Sequence, residues 1–306
     1  MDLEIYNKIR TGRAAFYEQP RGLIEIRGKE AVQFLDGMIT NDMKTLEDGA
    51  QMLAAFPNAQ GRLVAVIRVQ RRGDSYFIET EDATREKLFQ NLFRFTFAGD
   101  FFVEDLSEQF AYFEIFGPVE DVYHREVSQM VPGSFAFAAT NGASYFVLAE
   151  KAEGFRDFLT KENHCLPVDE ELYETLRVES GIPRYGVDMD ESTIVPELGL
   201  EGMISYSKGC YLGQEIIARI HFRGHVAKQL TGLVLAEPLA VAGGLAAGTE
   251  LLSVDGKNAG KVTSMTFSPK LGKNIALAFV RYDYLPTDTK LRAGDLESEV
   301  TELPFI

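Results

Sequence analysis

The hydrophobic and polar positions of the chain fall into short, well-punctuated runs. Residues 21–28, RGLIEIRG, alternate and predict a strand. GKEAVQFLDGMI follows, with Ala31, Val32, Phe34 and Leu35 at helical spacing. Residues 51–80 predict three strands. Pro57-Asn58 and Gly61 mark the first turn, and Arg72-Gly73-Asp74 the second. Residues 81–95 begin acidic and carry Leu88, Phe89, Leu92 and Phe93 at the spacing of a helix. The pattern then repeats loosely. FAYFEIFG predicts a strand, GPVEDVYHREVSQM a helix, and FAFAAT with ASYFVLAE a hairpin about Asn141-Gly142. EGFRDFLTKEN and VDEELYETLRVES predict two more helices. Two strand-rich blocks punctuated by helices argue for two related α+β units.

From about Gln229 the character changes. KQLTGLVL, GTELLSV, KNAGKVTSMTF, KNIALAFVR and SEVTELPF are short alternating segments separated by Gly, Asp and Pro. That spacing predicts a small all-β barrel or sandwich. The expected class is therefore α+β: two related α/β units within residues 1–227 and a C-terminal small β-barrel over 228–306, with the boundary near His225–Lys228.

Composition narrows the function. At 306 residues the chain exceeds the usual single-domain size, and 45% hydrophobic residues exclude a disordered chain. The net charge of −15 repels phosphate backbones, so non-specific nucleic-acid binding is not expected. A local basic pocket for a small anion stays open. Two cysteines, Cys165 and Cys210, make no disulfide framework and point to a reducing compartment. The start, MDLEIYNKIR, lacks the apolar core of a signal peptide. No apolar run approaches the ~18 residues of a membrane span. The expectation is a soluble cytoplasmic protein, or a matrix protein whose presequence is missing.

One of the two cysteines stands in KGCYLGQE, Lys208 to Glu215. Gly209 and Gly213 let the backbone turn sharply and let a ligand come close. Lys208, and a helix beginning near Tyr211, would both favour the Cys210 thiolate. The alternative is a tight loop with Cys210 packed as a small apolar residue. His221 and His225 sit four apart near this cysteine, but Gly224 between them marks a helix end and no zinc framework is present; hydrogen-bonding or surface roles are expected, and no metal. In RVESGIPRYGVDMD, Gly181 and Pro183 stop a helix and leave Glu179 in its last turn, where the dipole disfavours a carboxylate. A ligand presenting an amidine-like edge would explain it; a solvated glutamate is the plainer reading. Asn41 and Asp42 of TND, and Arg62 of PNAQGRL, read alone as loop residues. No P-loop, GxGxxG with a following acid, HExxH, GxSxG or CxxC stands in proper context.

Together these stretches resemble the YgfZ family of folate-binding proteins, whose hallmark is K-G-C-[YF]-x-G-Q-E. IEIRGKEAVQFLDGMITND and FPNAQGRLVAVIRV look like that family's N-terminal segments, and LRVESGIPRYGVDMDESTIVPEL is similar to a stretch shared with the glycine-cleavage T-protein. The similarity covers about residues 20–235. It implies three domains around a central folate pocket, tetrahydrofolate or a one-carbon derivative as cofactor, and a role in assembly or repair of iron–sulfur clusters. The partners implied are iron–sulfur client proteins or assembly factors. The resemblance carries over Cys210 and Lys208 as working residues, framed by Gly209, Gly213, Gln214 and Glu215. Glu179 stands where T-protein relatives place a pterin-contacting glutamate, and Asn41, Arg62, Tyr211 and Arg223 are expected as further folate contacts.

The chain departs from the T-protein at Gly61, which is followed by Arg62, Leu63, Val64, Ala65 and Val66 where T-proteins resemble G-x-x-x-D-D. Aminomethyl transfer needs a group that handles protons on nitrogen. The missing carboxylate argues against that transfer, so the expected function is a tetrahydrofolate-binding accessory factor without ordinary turnover; the alternatives are a folate-dependent aminomethyltransferase of the T-protein type and a scaffold that has lost folate. Because the glutamyl tail of folate is anionic, some of Arg62, Arg68, Lys208, Arg219 and Arg223 are expected to line one cavity.

Overall fold

A computed structural model describes residues 1–117, 133–140, 142–236 and 246–306. The helix expected in GPVEDVYHREVSQM, beyond Gly117, and the tip of the hairpin at Asn141 lie outside the described residues. In chain order the first elements are α1 (Leu3–Arg10), β1 (Ala15–Gln19), β2 (Arg21–Arg27), α2 (Ala31–Met38), β3 (Gln51–Pro57), β4 (Leu63–Arg72), β5 (Ser75–Glu81) and α3 (Asp82–Phe93). Next come β6 (Phe102–Asp105), β7 (Phe110–Phe116), β8 (Phe135–Ala139), β9 (Gly142–Leu148), α4 (Ala152–Asp157), β10 (Leu166–Pro167), α5 (Glu170–Glu179) and α6 (Gln214–Arg223). The last strands are β11 (Lys228–Leu235), β12 (Glu250–Ser253), β13 (Asn258–Ser268), β14 (Lys273–Arg281), β15 (Lys290–Ala293) and β16 (Leu296–Thr301).

The chain divides into two compact units, each discontinuous in sequence. The first comprises Met1–Phe56, Val64–Leu172 and Gly202–Tyr211; the second comprises Pro57–Leu63, Tyr173–Glu201 and Leu212–Ile306.

The first unit holds two five-stranded sheets, ordered β3-β4-β5-β2-β6 and β10-β1-β7-β9-β8. Inward faces of both sheets meet in one apolar cluster: Leu23 and Phe77 from the first, Tyr112, Phe135, Phe137 and Phe146 from the second. Each such side chain withdrawn from water contributes roughly 1.5–3 kcal/mol. The opposite face of the second sheet buries Phe113, Tyr145 and Val147 against Phe155, Phe158 and Leu159 of the helical segment that follows β9. The mixed α/β class expected from the alternation is present here, with both sheets in one compact unit.

Between the sheets runs a ladder of side chains. Alternate residues of β4 share one face, and three of them donate to carbonyls of the edge strand β8 or of the residue just before it. Arg68 reaches Ala138 at 2.6 Å, Gln70 reaches Ala136 at 2.8 Å and Arg72 reaches Ser134 at 3.1 Å. The Gln51 amide adds a pair with the Ala138 backbone, accepting from N–H at 2.8 Å and donating to C=O at 3.2 Å. An edge that would otherwise present open backbone groups is thereby closed within the chain.

In the second unit β11-β14-β13-β12-β15-β16 form a closed barrel. Leu233, Leu251, Val262, Ala276, Ala278 and Val280 point into its core. Strand β14 is buried on both faces from Asn274 to Val280, which explains its unbroken apolar run. Arg177, at the end of α5, explains one covered face of β13. Its guanidinium donates to Ser264 at 2.9 Å and to Asp188 at 2.8 Å, and Thr263 donates to the same aspartate.

Candidate functional site

The motif residues Lys208 to Tyr211 belong to the first unit, and Leu212 to Glu215 to the second. Lys208 is fully buried. Its Nζ donates to the carbonyls of Asp36 at 2.6 Å, Ile39 at 2.9 Å and Asn41 at 2.6 Å, and lies 3.2 Å from Oδ1 of Asp36. Burial pushes the ammonium below the usual lysine range, against the opposing pull of Asp36. Desolvation pushes the Asp36 carboxyl up, but the Lys208 charge and contacts with Lys44 hold it below its ordinary range.

Cys210 is exposed, as is Gly209 before it. Tyr211 is buried with its ring 5.1 Å below the Lys208 ammonium, and burial drives its hydroxyl up to about 12. Tyr211 is therefore a neutral phenol at physiological pH. Of the open readings for Cys210, burial as a small apolar residue is the one its exposure removes.

Asn41 was expected at a folate, and its side chain is engaged within the first unit. Its Nδ2 donates to the carbonyls of Leu53 at 2.8 Å and Gly202 at 2.7 Å, while Oδ1 accepts from Asp42 N–H at 2.9 Å. Thr40 adds a bond to the Met203 carbonyl at 2.7 Å, and Ser205 N–H donates back to Thr40 at 2.9 Å. Segment 36–41 and segment 202–208 are thus stitched by main chain and side chain together.

In the second unit two distant segments converge on the PNAQG turn. Arg62 pairs as an isolated bridge with Ile194, and its guanidinium donates to the Ser192 carbonyl at 2.6 Å. Leu63 N–H donates to Thr193 and Val195 N–H to Gly61. Gly213, with φ +79, packs its backbone directly on Asn58 and Gly61. Helix α6 begins after it, at Gln214 rather than near Tyr211, because the left-handed glycine serves as its N-cap. Gln214 is half-buried and Glu215 exposed in its first turn; Arg219, His221, Arg223 and His225 are exposed, and the His225 ring stacks on Tyr282 at 3.7 Å. Among the described residues no three His, Cys, Asp or Glu side chains gather as a metal site.

Glu179 closes α5 in the second unit and is fully buried. The Ser268 hydroxyl donates to its Oε1, and Phe305 N–H donates to its carbonyl. The reduced folate implied by the resemblance needs a carboxylate as acceptor for its N–H/NH2 edge. A desolvated glutamate fits that requirement in kind; Glu179 is fully buried within the chain, with the Ser268 hydroxyl already on its Oε1.

The cations expected around a glutamyl tail divide. Arg68 is tied to Glu79 at 2.6 Å and to Tyr112 and Ser144, and Lys208 to its three carbonyls, so both serve the interior of the first unit. Arg62, Arg219 and Arg223 belong to the second unit and are exposed. Sequence reasoning missed the partners of Lys208 and Arg68, since no local signal marks them. The meeting of Gly213 with the PNAQG turn had a signal: glycines at both ends.

Comparison with known proteins agrees with this architecture. The chain matches the GCVT N-terminal domain over residues 6–141 and the glycine cleavage T-protein C-terminal barrel domain over residues 228–306. A protein of Bdellovibrio bacteriovorus named aminomethyltransferase is 26% identical over 332 aligned residues, covering 99% of this chain and 90% of that protein. The crystal structure of glycine cleavage system aminomethyltransferase T from Bartonella henselae superposes with a TM-score of 0.86 at 18% identity, over 99% of this chain and 89% of that one. At that identity the likeness shows the fold: a mixed α/β body with a closed six-stranded barrel. With both domains matched in order along one chain, the protein is GcvT-like in its domain make-up: a GCVT N-terminal domain followed by a T-protein C-terminal barrel domain.

Proposed function

We propose that this chain is a tetrahydrofolate-binding protein of the aminomethyltransferase type. The observation that carries the reading is the pair of T-protein domain matches, together with a desolvated carboxylate, Glu179, where the resemblance puts a pterin contact. Tetrahydrofolate, when bound, supplies nitrogens that accept or carry a one-carbon unit. The chain's own part is to hold the ligand by an acceptor at Glu179 and to present Cys210 to whatever reacts.

Two finer readings share this folate. The names of the relatives back aminomethyl transfer better than a cluster role. One observation in this chain favours the other reading. Leu63, Val64 and Ala65 are buried apolar residues in β4, so this stretch holds no carboxylate to move a proton on an amine. The exposed thiol of Cys210 is the reactive group offered instead. In that reading the protein is an accessory factor for iron–sulfur proteins or their assembly factors. It works in the reducing cytoplasm, and Cys210 meets a cluster, as cargo, or a client thiol. Two cysteines are too few to hold a four-thiolate cluster in one chain.

Calorimetry with tetrahydrofolate tests the shared reading. Heat of binding with wild type and a weakened response with Glu179→Ala support it; no heat at high micromolar folate overturns it. Incubation with folate and an aminomethyl donor separates the finer readings. Release of ammonia with methylene-tetrahydrofolate establishes transfer. Its absence, with loss of iron–sulfur enzyme activity in cells carrying Cys210→Ala under oxidative stress, establishes the accessory role.

A further inference from the structure

Helix α2 lacks the usual means of closing its C-terminus. Its last turn has no basic residue, and its C-cap is Ile39 in extended backbone rather than a left-handed glycine. Carbonyls at a helix end need partners, and a cation there is favoured by the dipole. The partner comes from 172 residues further along the chain from Asp36: the Lys208 ammonium. An ammonium has three protons. Here they go to three carbonyls, Asp36, Ile39 and Asn41, with the Asp36 carboxylate beside them as counter-charge.

Main-chain carbonyls and one carboxylate around a buried positive charge form a cage of the kind that binds a monovalent cation. The cage closes the helix, and the lysine's own backbone lies two residues before Cys210. We infer that Lys208 is a positioning residue, a covalently attached cation that caps α2 and fixes the bend bearing Cys210, and that it does not activate the thiol. With all three protons directed at carbonyls, none is left to hydrogen-bond the sulfur, and the Asp36 carboxylate at 3.2 Å offsets the ammonium's charge. The neighbouring bonds of Thr40 with Met203 and Asn41 with Gly202 hold the same two segments.

The test uses the full chain with Lys208→Ala and Lys208→Met. Amide exchange is read by mass spectrometry at the hydrogen-bonded N–H groups of Ile39, Thr40 and Met43. Alkylation of Cys210 by iodoacetamide is followed against pH in the same samples by peptide mapping. The alanine variant is expected to exchange about tenfold faster or more at these sites. Propylammonium, which fits the vacated stem and cage, is expected to restore protection. It should do nothing for the methionine variant, whose side chain fills that stem. The pH midpoint of Cys210 alkylation is expected to stay where it is in wild type. A midpoint raised by about one unit with exchange unchanged would make Lys208 an activator and overturn the inference. So would accelerated exchange that propylammonium leaves uncorrected. If the alanine variant is unfolded, recovery of far-UV circular dichroism on adding propylammonium is the readout, and failure to recover overturns it equally.

Discussion

Gly213 and Asn58 occupy adjoining space so closely that a Cβ on the glycine would overlap the asparagine carbonyl oxygen and stand 3.0 Å from Cα of Gly61. The glycine also sits at φ +79, a left-handed conformation that L side chains adopt at a cost. Gly209, four positions earlier in the same motif, has open space where its Cβ would go and no positive φ. The two glycines therefore answer different demands. Gly213→Ala is expected to lower stability by about 2–3 kcal/mol, since strain and backbone overlap act together. Gly209→Ala should stay within roughly 1 kcal/mol of wild type. Urea midpoints of the two variants, measured at equal m-values, check the difference.

Glu79 is a buried carboxylate between two guanidiniums, Arg21 and Arg68, each with Nε at 2.6 Å. Burial alone would push its carboxyl up; Arg21 and Arg68 overcome this and hold it at about 2, below the ordinary 4.5. The depressed value means the folded state binds this proton later than the unfolded chain does. Its contribution is complete above about pH 4.5 and is lost as pH falls through about 2. Glu79→Gln keeps the shape and leaves two buried cations facing an uncharged amide. A loss of about 3–5 kcal/mol is expected at neutral pH. The fall in Tm between pH 4.5 and 2 should also become shallower than in wild type.

The β4 ladder makes a separate prediction. Gln70 is buried, donates to the Ala136 carbonyl at 2.8 Å and accepts from Arg72 at 3.0 Å. Gln70→Met preserves volume and removes both bonds, leaving a carbonyl of an edge strand short of this donor. The expected loss is about 1–3 kcal/mol. Because the edge of β8 loosens, light scattering on warming should show association at a lower temperature than for wild type.

The strands and the barrel were legible because their apolar positions recur with period two and Gly, Asp and Pro mark their ends. Helix α1 was not read: only Tyr6 and Ile9 of its eight residues are buried, too few to show a period, although Asp2 caps it. Strand β6 is four residues with an exposed Phe102, and only its pairing with β2 makes it a strand. At the site, the identity of the motif was plain and the duty of each residue was not. Lys208 looked like a neighbour of a thiol, and its partners lie 167 to 172 residues earlier. Asn41 had the composition of a loop ligand, and Arg68 of a pocket cation. Both are bound inside the first unit by groups that no local pattern announces. Polar side chains do not reveal in sequence whether their partner is water, a ligand or a remote carbonyl.

The two cysteines differ in the same way, and a thiol titration reads the difference directly. Cys210 is exposed on its bend, whereas Cys165 packs, 3% exposed, in the cluster of Phe16, Phe113, Phe155 and Phe158. Both carry the same intrinsic chemistry, but an aromatic-walled thiol is shielded from reagent. Native protein with a chromogenic disulfide should release one equivalent quickly. The second should follow only at the rate of local or global opening. Adding denaturant should merge the phases into one fast release of two equivalents. Peptide mapping after a brief pulse of iodoacetamide should find the label on Cys210. Equal labelling of Cys165 under native conditions would show that the core beneath the second sheet opens, and would sink the assignment of Cys210 as the thiol this fold presents.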